Sequence, residues 1–258
     1  MSRFSSLEFN ESNESDFDSQ QIAKDEPFYF LEGRTAFENG EFEKALRSFS
    51  KVLEFNPNKA AAWTGQVRAL IELAEFSEAK LWADKALEKF PNEPELLAAK
   101  AVALGRIGDL KAALAFSDAS IEERGDTPYI WLARGDVFLA RAEKRAEYCF
   151  QKAVLLAPSD WLVQWLASRI HTVYKKFSIA LNFAREALNL NPGNSAVWAQ
   201  AGNCQLVLGL SVLAKNSFAQ ALQLNPHCRE ATLGLAKISS AGFLSNFCSR
   251  CRQLFRNA

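Results

Sequence analysis

Chain breakers recur at one interval, and no other feature of the sequence constrains its fold so tightly. Pro57, Pro91, Pro158, Pro192 and Pro226 are separated by 34, 67, 34 and 34 residues. The double interval is divided by Arg124-Gly125-Asp126, with Pro128 just beyond. A period of this length holds one supersecondary unit per repeat, so the fold is a stack of like units rather than a single packed sheet or bundle.

Other residues keep the same phase. Twelve positions before each breaker stands a small residue: Ala45, Ala79, Ala113, Ala146, Ala180 and Ala214. Five positions before it come Val52, Ala86, Ser120, Ala153, Ala187 and Ala221, each followed by an aliphatic residue. Apolar positions three and four apart make one stripe of an amphipathic helix. A second helix precedes each of these. Its markers are Tyr29, Gly33 and Ala36; Trp63, Val67 and Leu70; Leu97, Ala101 and Leu104; Trp131, Gly135 and Phe138; and Trp198, Gly202 and Gln205. In the fifth unit the slots hold Gln164, Ser168 and His171, with Trp165 one place late. The spacing predicts short turns between paired helices at Asn39-Gly40-Glu41, Ile107-Gly108-Asp109 and Leu208-Gly209-Leu210. The fourth unit is one residue short around residues 142–144 and lacks the turn glycine, which predicts a distorted junction there.

These residues resemble the tetratricopeptide repeat (TPR) family over residues 26–226, as six helix pairs. The resemblance implies an all-α fold, an α-solenoid in which antiparallel helix pairs wind into a right-handed superhelix. It also implies a concave face lined by the first helix of each pair, where a protein or peptide partner binds. Carried onto this sequence, the groove residues are Phe30, Arg34 and Phe37 from the first unit, Arg68 and Ile71 from the second, and Arg106 from the third. Asp136 follows from the fourth, Trp165 and Arg169 from the fifth, and Gln200 and Asn203 from the sixth. Arginine grips carboxylates bidentately and tryptophan anchors interfaces, so the implied partner is an acidic and apolar segment. The Lys/Asn clamp with which some members hold a chain-terminal carboxylate is not reproduced, since its slots hold Phe30, Arg34, Gly65, Glu95 and Ala99.

The ends depart from the lattice. Residues 1–25 are rich in Ser and Asn and carry Glu8, Glu11, Glu14, Asp16, Asp18 and Asp25 against Arg3 and Lys24. Such a composition is expected to stay disordered. Its Phe4, Leu7 and Phe9 match what the groove prefers, which suggests self-association through this tail, in its own groove or a neighbour's. Residues 227–258 are expected to form a capping helix and a basic segment containing Cys248-Ser-Arg-Cys251.

Thirty Lys and Arg balance 30 Asp and Glu, which excludes an overall basic nucleic-acid binder. With two histidines and no phosphate loop or nucleophile motif, no catalytic residue, cofactor or metal is expected. The Cys248/Cys251 pair fits small apolar packing on a terminal helix better than a zinc site. No apolar run suits a transmembrane segment or a signal, and five cysteines do not suggest a disulfide framework, so the expected location is cytoplasmic. The resulting expectation is a non-enzymatic scaffold or adaptor that binds a partner's peptide segment in its groove. The alternative is a regulatory module whose C-terminal Cys/Arg segment binds metal or nucleic acid.

Overall fold

The computed structural model describes residues 24–240. It contains twelve helices in six antiparallel pairs, α1(Glu26–Glu38) with α2(Phe42–Phe55), α3(Ala60–Glu72) with α4(Phe76–Lys89), and α5(Pro94–Ile107) with α6(Leu110–Glu123). The series continues with α7(Pro128–Ala140) and α8(Ala146–Leu156), α9(Trp161–Val173) and α10(Phe177–Leu190), and α11(Ser195–Val207) and α12(Ser211–Leu224). A thirteenth helix, α13, spans residues 229–240. There is no strand among the described residues. The two tails, including the suggested groove-seeking segment and Cys248/Cys251, lie outside the described residues.

The period has a local cause at each joint. Side-chain oxygens of Asp25, Asp109, Asp160 and Asn194 accept from the free N–H groups that open α1, α6, α9 and α11. In three units a lattice tryptophan ties the new pair to the breaker before it. Trp63 Nε1 donates to the Pro57 carbonyl at 3.0 Å, Trp131 to that of Gly125 at 2.8 Å, and Trp198 to that of Pro192 at 2.8 Å. Within each pair the turn needs one residue at positive φ. Gly40, Gly108 and Gly209 fill it in three pairs, and Ala74, Ala142 and Lys175 in the others. Ala142 sits at φ 56° in the short fourth junction, and α8 there has 11 residues against 14 in the other second helices. The missing residue is thus taken up at the turn and the helix start, where the sequence predicts distortion.

Volume is matched across the layers. Phe49, Phe150 and Phe218 occupy one lattice slot and are at most 3% exposed. Each lies on glycine. A Cβ on Gly33 would stand 2.9 Å from the Phe49 ring, one on Gly135 2.8 Å from Phe150, and one on Gly202 2.7 Å from Phe218. In the remaining units the slot holds Ala83, Ser117 and Ala184, and the facing first helix carries Val67, Ala101 and Ser168 instead of glycine. A ring on glycine fills the layer in three units, and small or β-branched side chains meet in the other three.

The array closes on itself. The α1–α2 turn of the first unit meets the fifth and sixth. Asn194 Nδ2 donates to the Glu38 carbonyl at 2.9 Å across 156 residues of chain, and a Cβ on Gly40 would stand 3.1 Å from Ala196 Cβ. Phe42 stacks on Trp165, centroids 6.1 Å apart and planes within 15°. The first helices face the space that this closure encloses.

Candidate functional site: the inner chamber

The first helices and α13 surround a chamber of about 500 Å³. Eight of the eleven groove residues expected from the sequence line it: Phe37, Arg68, Ile71, Arg106, Asp136, Arg169, Gln200 and Asn203. Phe30 and Arg34 line a smaller adjoining cavity of about 280 Å³, which shares Phe37 and Arg68 and reaches Leu162 of α9. Trp165 lies in neither; it is fully buried under Phe42.

The chamber's charges are mostly spent on one another. Arg106 grips Asp136 bidentately, Nε to Oδ1 at 2.9 Å and Nη2 to Oδ2 at 2.6 Å, with side chains 9% and 3% exposed. Burial opposes the Arg106 charge, but the Asp136 carboxylate more than restores it and holds the guanidinium above its ordinary pKa. Tyr174 donates its hydroxyl to Asp136 Oδ1 at 2.6 Å; burial first, then the Asp136 charge, push its pKa well up, so the phenol keeps its proton. Arg169 Nε donates to Glu72 at 2.5 Å, and its Nη1 lies 3.7 Å from Glu230 of α13. Gln200 Nε2 is committed to Thr172 Oγ1 at 2.7 Å and Ser168 Oγ at 3.1 Å.

Arg68 is different. Its closest carboxylate is Glu95 at 3.9 Å, beyond hydrogen-bond distance. Its guanidinium instead lies 4.0 Å from the Tyr129 ring centroid and 5.1 Å from that of Phe37, on the wall between the two cavities. An arginine held by aromatic faces keeps its fork of N–H donors for an incoming carboxylate. Arg34 stays at the rim, its side chain 61% exposed and 3.8 Å from Glu38.

Three residues that shape the chamber escaped the sequence reading. Glu72 and Glu230 neutralise Arg169, and Tyr129 packs on Arg68. Glu72 and Tyr129 sit on the first-helix lattice next to expected residues, so their spacing could have found them. Glu230 comes from the cap, and its contact depends on how far the array has curled.

No group of three or more His, Cys, Asp or Glu fit to hold a metal ion occurs among the described residues. Burial raises the thiol pKa of Cys149, to about 11, and also those of Cys204 and Cys228, so these cysteines are protonated packers rather than thiolates. His171 is buried, and its Nδ1 donates to the Ala167 carbonyl at 2.8 Å. Among the described residues no helix is long and apolar enough to cross a membrane.

A closed array of helix pairs with its first helices turned inward defines the class, an α-solenoid with a concave inner surface. Residues 36–103 match the family model described as tetratricopeptide repeat, and the same helix-pair geometry runs through the other pairs. Among solved structures, the APC/C hetero-tetramer Cut9–Hcn1 contains a similar chain, with TM-score 0.50 and 17% identity over 84% of this chain. The chain spans 44% of that neighbour's length. YrrB, a TPR protein with an unusual peptide-binding site, is similar with TM-score 0.43 and 18% identity, covering 73% of this chain and 97% of its own. No curated protein sequence matches the chain significantly.

Proposed function

We propose that the protein is a non-enzymatic, cytoplasmic scaffold or adaptor that binds a peptide segment of a partner protein on its inner face. The TPR fold suggests protein–protein interaction. The observation that carries the finer reading is Arg68, an arginine on the wall of two connected cavities, cushioned by Tyr129 and Phe37 and lacking a hydrogen-bonded acid. Its ligand is a carboxylate in an otherwise apolar segment, with Ile71 and Phe37 taking the apolar side chains. Arg106, Asp136, Arg169, Gln200 and Asn203 form the polar surroundings, while Phe30 and Arg34 extend the surface to the rim.

The test is a display selection of acidic and apolar peptides, followed by calorimetry on wild type, Arg68→Glu and Arg34→Glu. Selected peptides are expected to lose tenfold or more in affinity with Arg68→Glu and about twofold with Arg34→Glu. Equal affinity for wild type and Arg68→Glu defeats the reading.

A further inference from the structure

The docked α1–α2 turn is an occupant as well as a structural contact, and it shows what the surface beneath it recognises. Three groups of the fifth and sixth units meet two features of the turn, an aromatic ring and a main-chain carbonyl. Trp165 receives the aromatic ring of Phe42, nearly parallel at 6.1 Å. The Arg169 guanidinium lies 4.6 Å from the centroid of that same ring, while its bond to the Glu72 carboxylate goes to α3, outside the turn. Asn194 Nδ2 takes the main-chain carbonyl of Glu38, while its Oδ1 caps α11 through Ala196 N and Val197 N.

One polar group under the turn is unused. Trp165 is 0% exposed, and its indole Nε1–H has no hydrogen-bond partner among the described residues. A fully buried donor without a partner is a cost that the closed form carries. Trp198, on the lattice position, spends its N–H on a proline carbonyl; Trp165, one place later, has no such partner. An occupant with a carbonyl in reach of Nε1 would fit this surface better than the chain's own turn does.

We propose that the face formed by Trp165, Arg169 and Asn194 is a second docking site, for a partner turn that presents an aromatic side chain beside exposed main-chain carbonyls, and that the α1–α2 turn occupies it until the partner displaces it. This rests on the reading of the inner surface as an interaction surface and adds its regulation. Closure narrows access to the chamber, so displacement of the turn opens the route to Arg68. Being part of the same chain, the turn competes intramolecularly, and the stability of the closure sets the affinity that a partner must exceed.

The probe is a synthetic peptide of residues 36–45, with a control peptide in which the residue corresponding to Phe42 is alanine. The receptors are the full wild-type chain, Phe42→Ala, which removes the occupant's ring, and Gly40→Asn. Asparagine tolerates the positive φ at Gly40, but its side chain is driven against Ala196, so this variant lifts the turn while leaving the core ring in place. Small-angle scattering is expected to show a larger radius of gyration for Gly40→Asn, and the probe to bind it at least tenfold more tightly than wild type. The control peptide is expected not to bind. Adding Asn194→Asp, which keeps the α11 cap but removes the donor, is expected to weaken the probe tenfold. If Phe42→Ala fails to fold, Gly40→Asn decides alone.

Unchanged scattering with no gain in probe affinity overturns the proposal, as does an opened chain that ignores the probe. A doubled mass on opening also overturns it, since the site would then belong to a second copy. Scattering reads the clasp without any partner. Arg68-dependent peptide binding that survives in Gly40→Asn leaves the groove reading intact, whatever happens to the turn peptide.

Discussion

Replacing Asp136 by asparagine isolates the strongest electrostatic element of the chamber. The substitution keeps shape and volume but leaves the Arg106 guanidinium, 9% exposed, without its counter-charge. Two charges about 4 Å apart in a medium of effective dielectric constant near 20 attract by about 4 kcal/mol. Removing one partner of a buried pair costs about 3–5 kcal/mol, because the survivor stays desolvated. Glu72, the other carboxylate in reach, is already held by Arg169. The Tyr174 hydroxyl, which donates to Oδ1 at 2.6 Å, keeps an acceptor in the amide oxygen, so the loss is mainly electrostatic. The expected destabilisation is about 3–5 kcal/mol, read from urea denaturation followed by helical circular dichroism. In a chain of this size that lowers Tm by roughly 10 °C. Replacing both partners with apolar residues, Arg106→Met with Asp136→Leu, is expected to recover most of the loss, since an apolar pair avoids the desolvation penalty. A change below about 1 kcal/mol for Asp136→Asn, or a double variant less stable than the single, refutes this account of the pair.

Gly202→Leu forces side-chain atoms into the space of the buried Phe218 ring, 2.7 Å from where the first added carbon would lie, and is expected to cost about 1–3 kcal/mol; an unchanged thermal midpoint contradicts the packing. Ala142→Gly and Lys175→Gly relieve a left-handed backbone strain of about 1–2 kcal/mol, offset by about 0.4–1 kcal/mol of extra chain entropy in the unfolded state. Together they are expected to raise Tm by a few degrees, and a fall argues against positive φ at these turns. His171 has its pKa lowered by burial, between Phe150 and Phe183, so the folded state holds it neutral. Its stability contribution is therefore complete above the unfolded value near 6.5 and is lost as pH falls below it, when the unfolded chain takes up the proton first. Thermal melts between pH 7.5 and 5.5 are expected to show this decline in wild type and to lose it in His171→Phe; parallel declines assign it to other groups.

The repeat architecture was legible because each joint is local. Capping residues, proline carbonyls and lattice tryptophans act within six residues of one another, and glycine lies under the large ring of its own unit. The short fourth unit was legible for the same reason, since one missing residue between Leu139 and Ala146 has to be absorbed at the turn. Ala74 and Lys175 were harder to read: residues that tolerate positive φ poorly stand at turns, and only the period identifies them.

The inner face was legible as a set of positions, while its state of use was not. Eight of the expected residues do share one chamber, because the first-helix lattice turns them to one side. Which of their charges remain available depends on partners that no single repeat contains: Arg106 meets Asp136 one unit away, whereas Arg169 meets Glu72 across 97 residues. Curvature accumulates over all the joints, so a small change per unit decides whether the first pair reaches the fifth. Trp165 marks this limit most clearly. Its displacement by one place from the lattice turns it about 100° around α9, away from the breaker carbonyl that serves Trp63 and Trp198. The displacement itself was visible in the sequence, but its meaning, a buried platform under Phe42, emerges only when the ring closes. In a solenoid, therefore, a residue out of step with the period is the place to look for contacts that the period cannot encode.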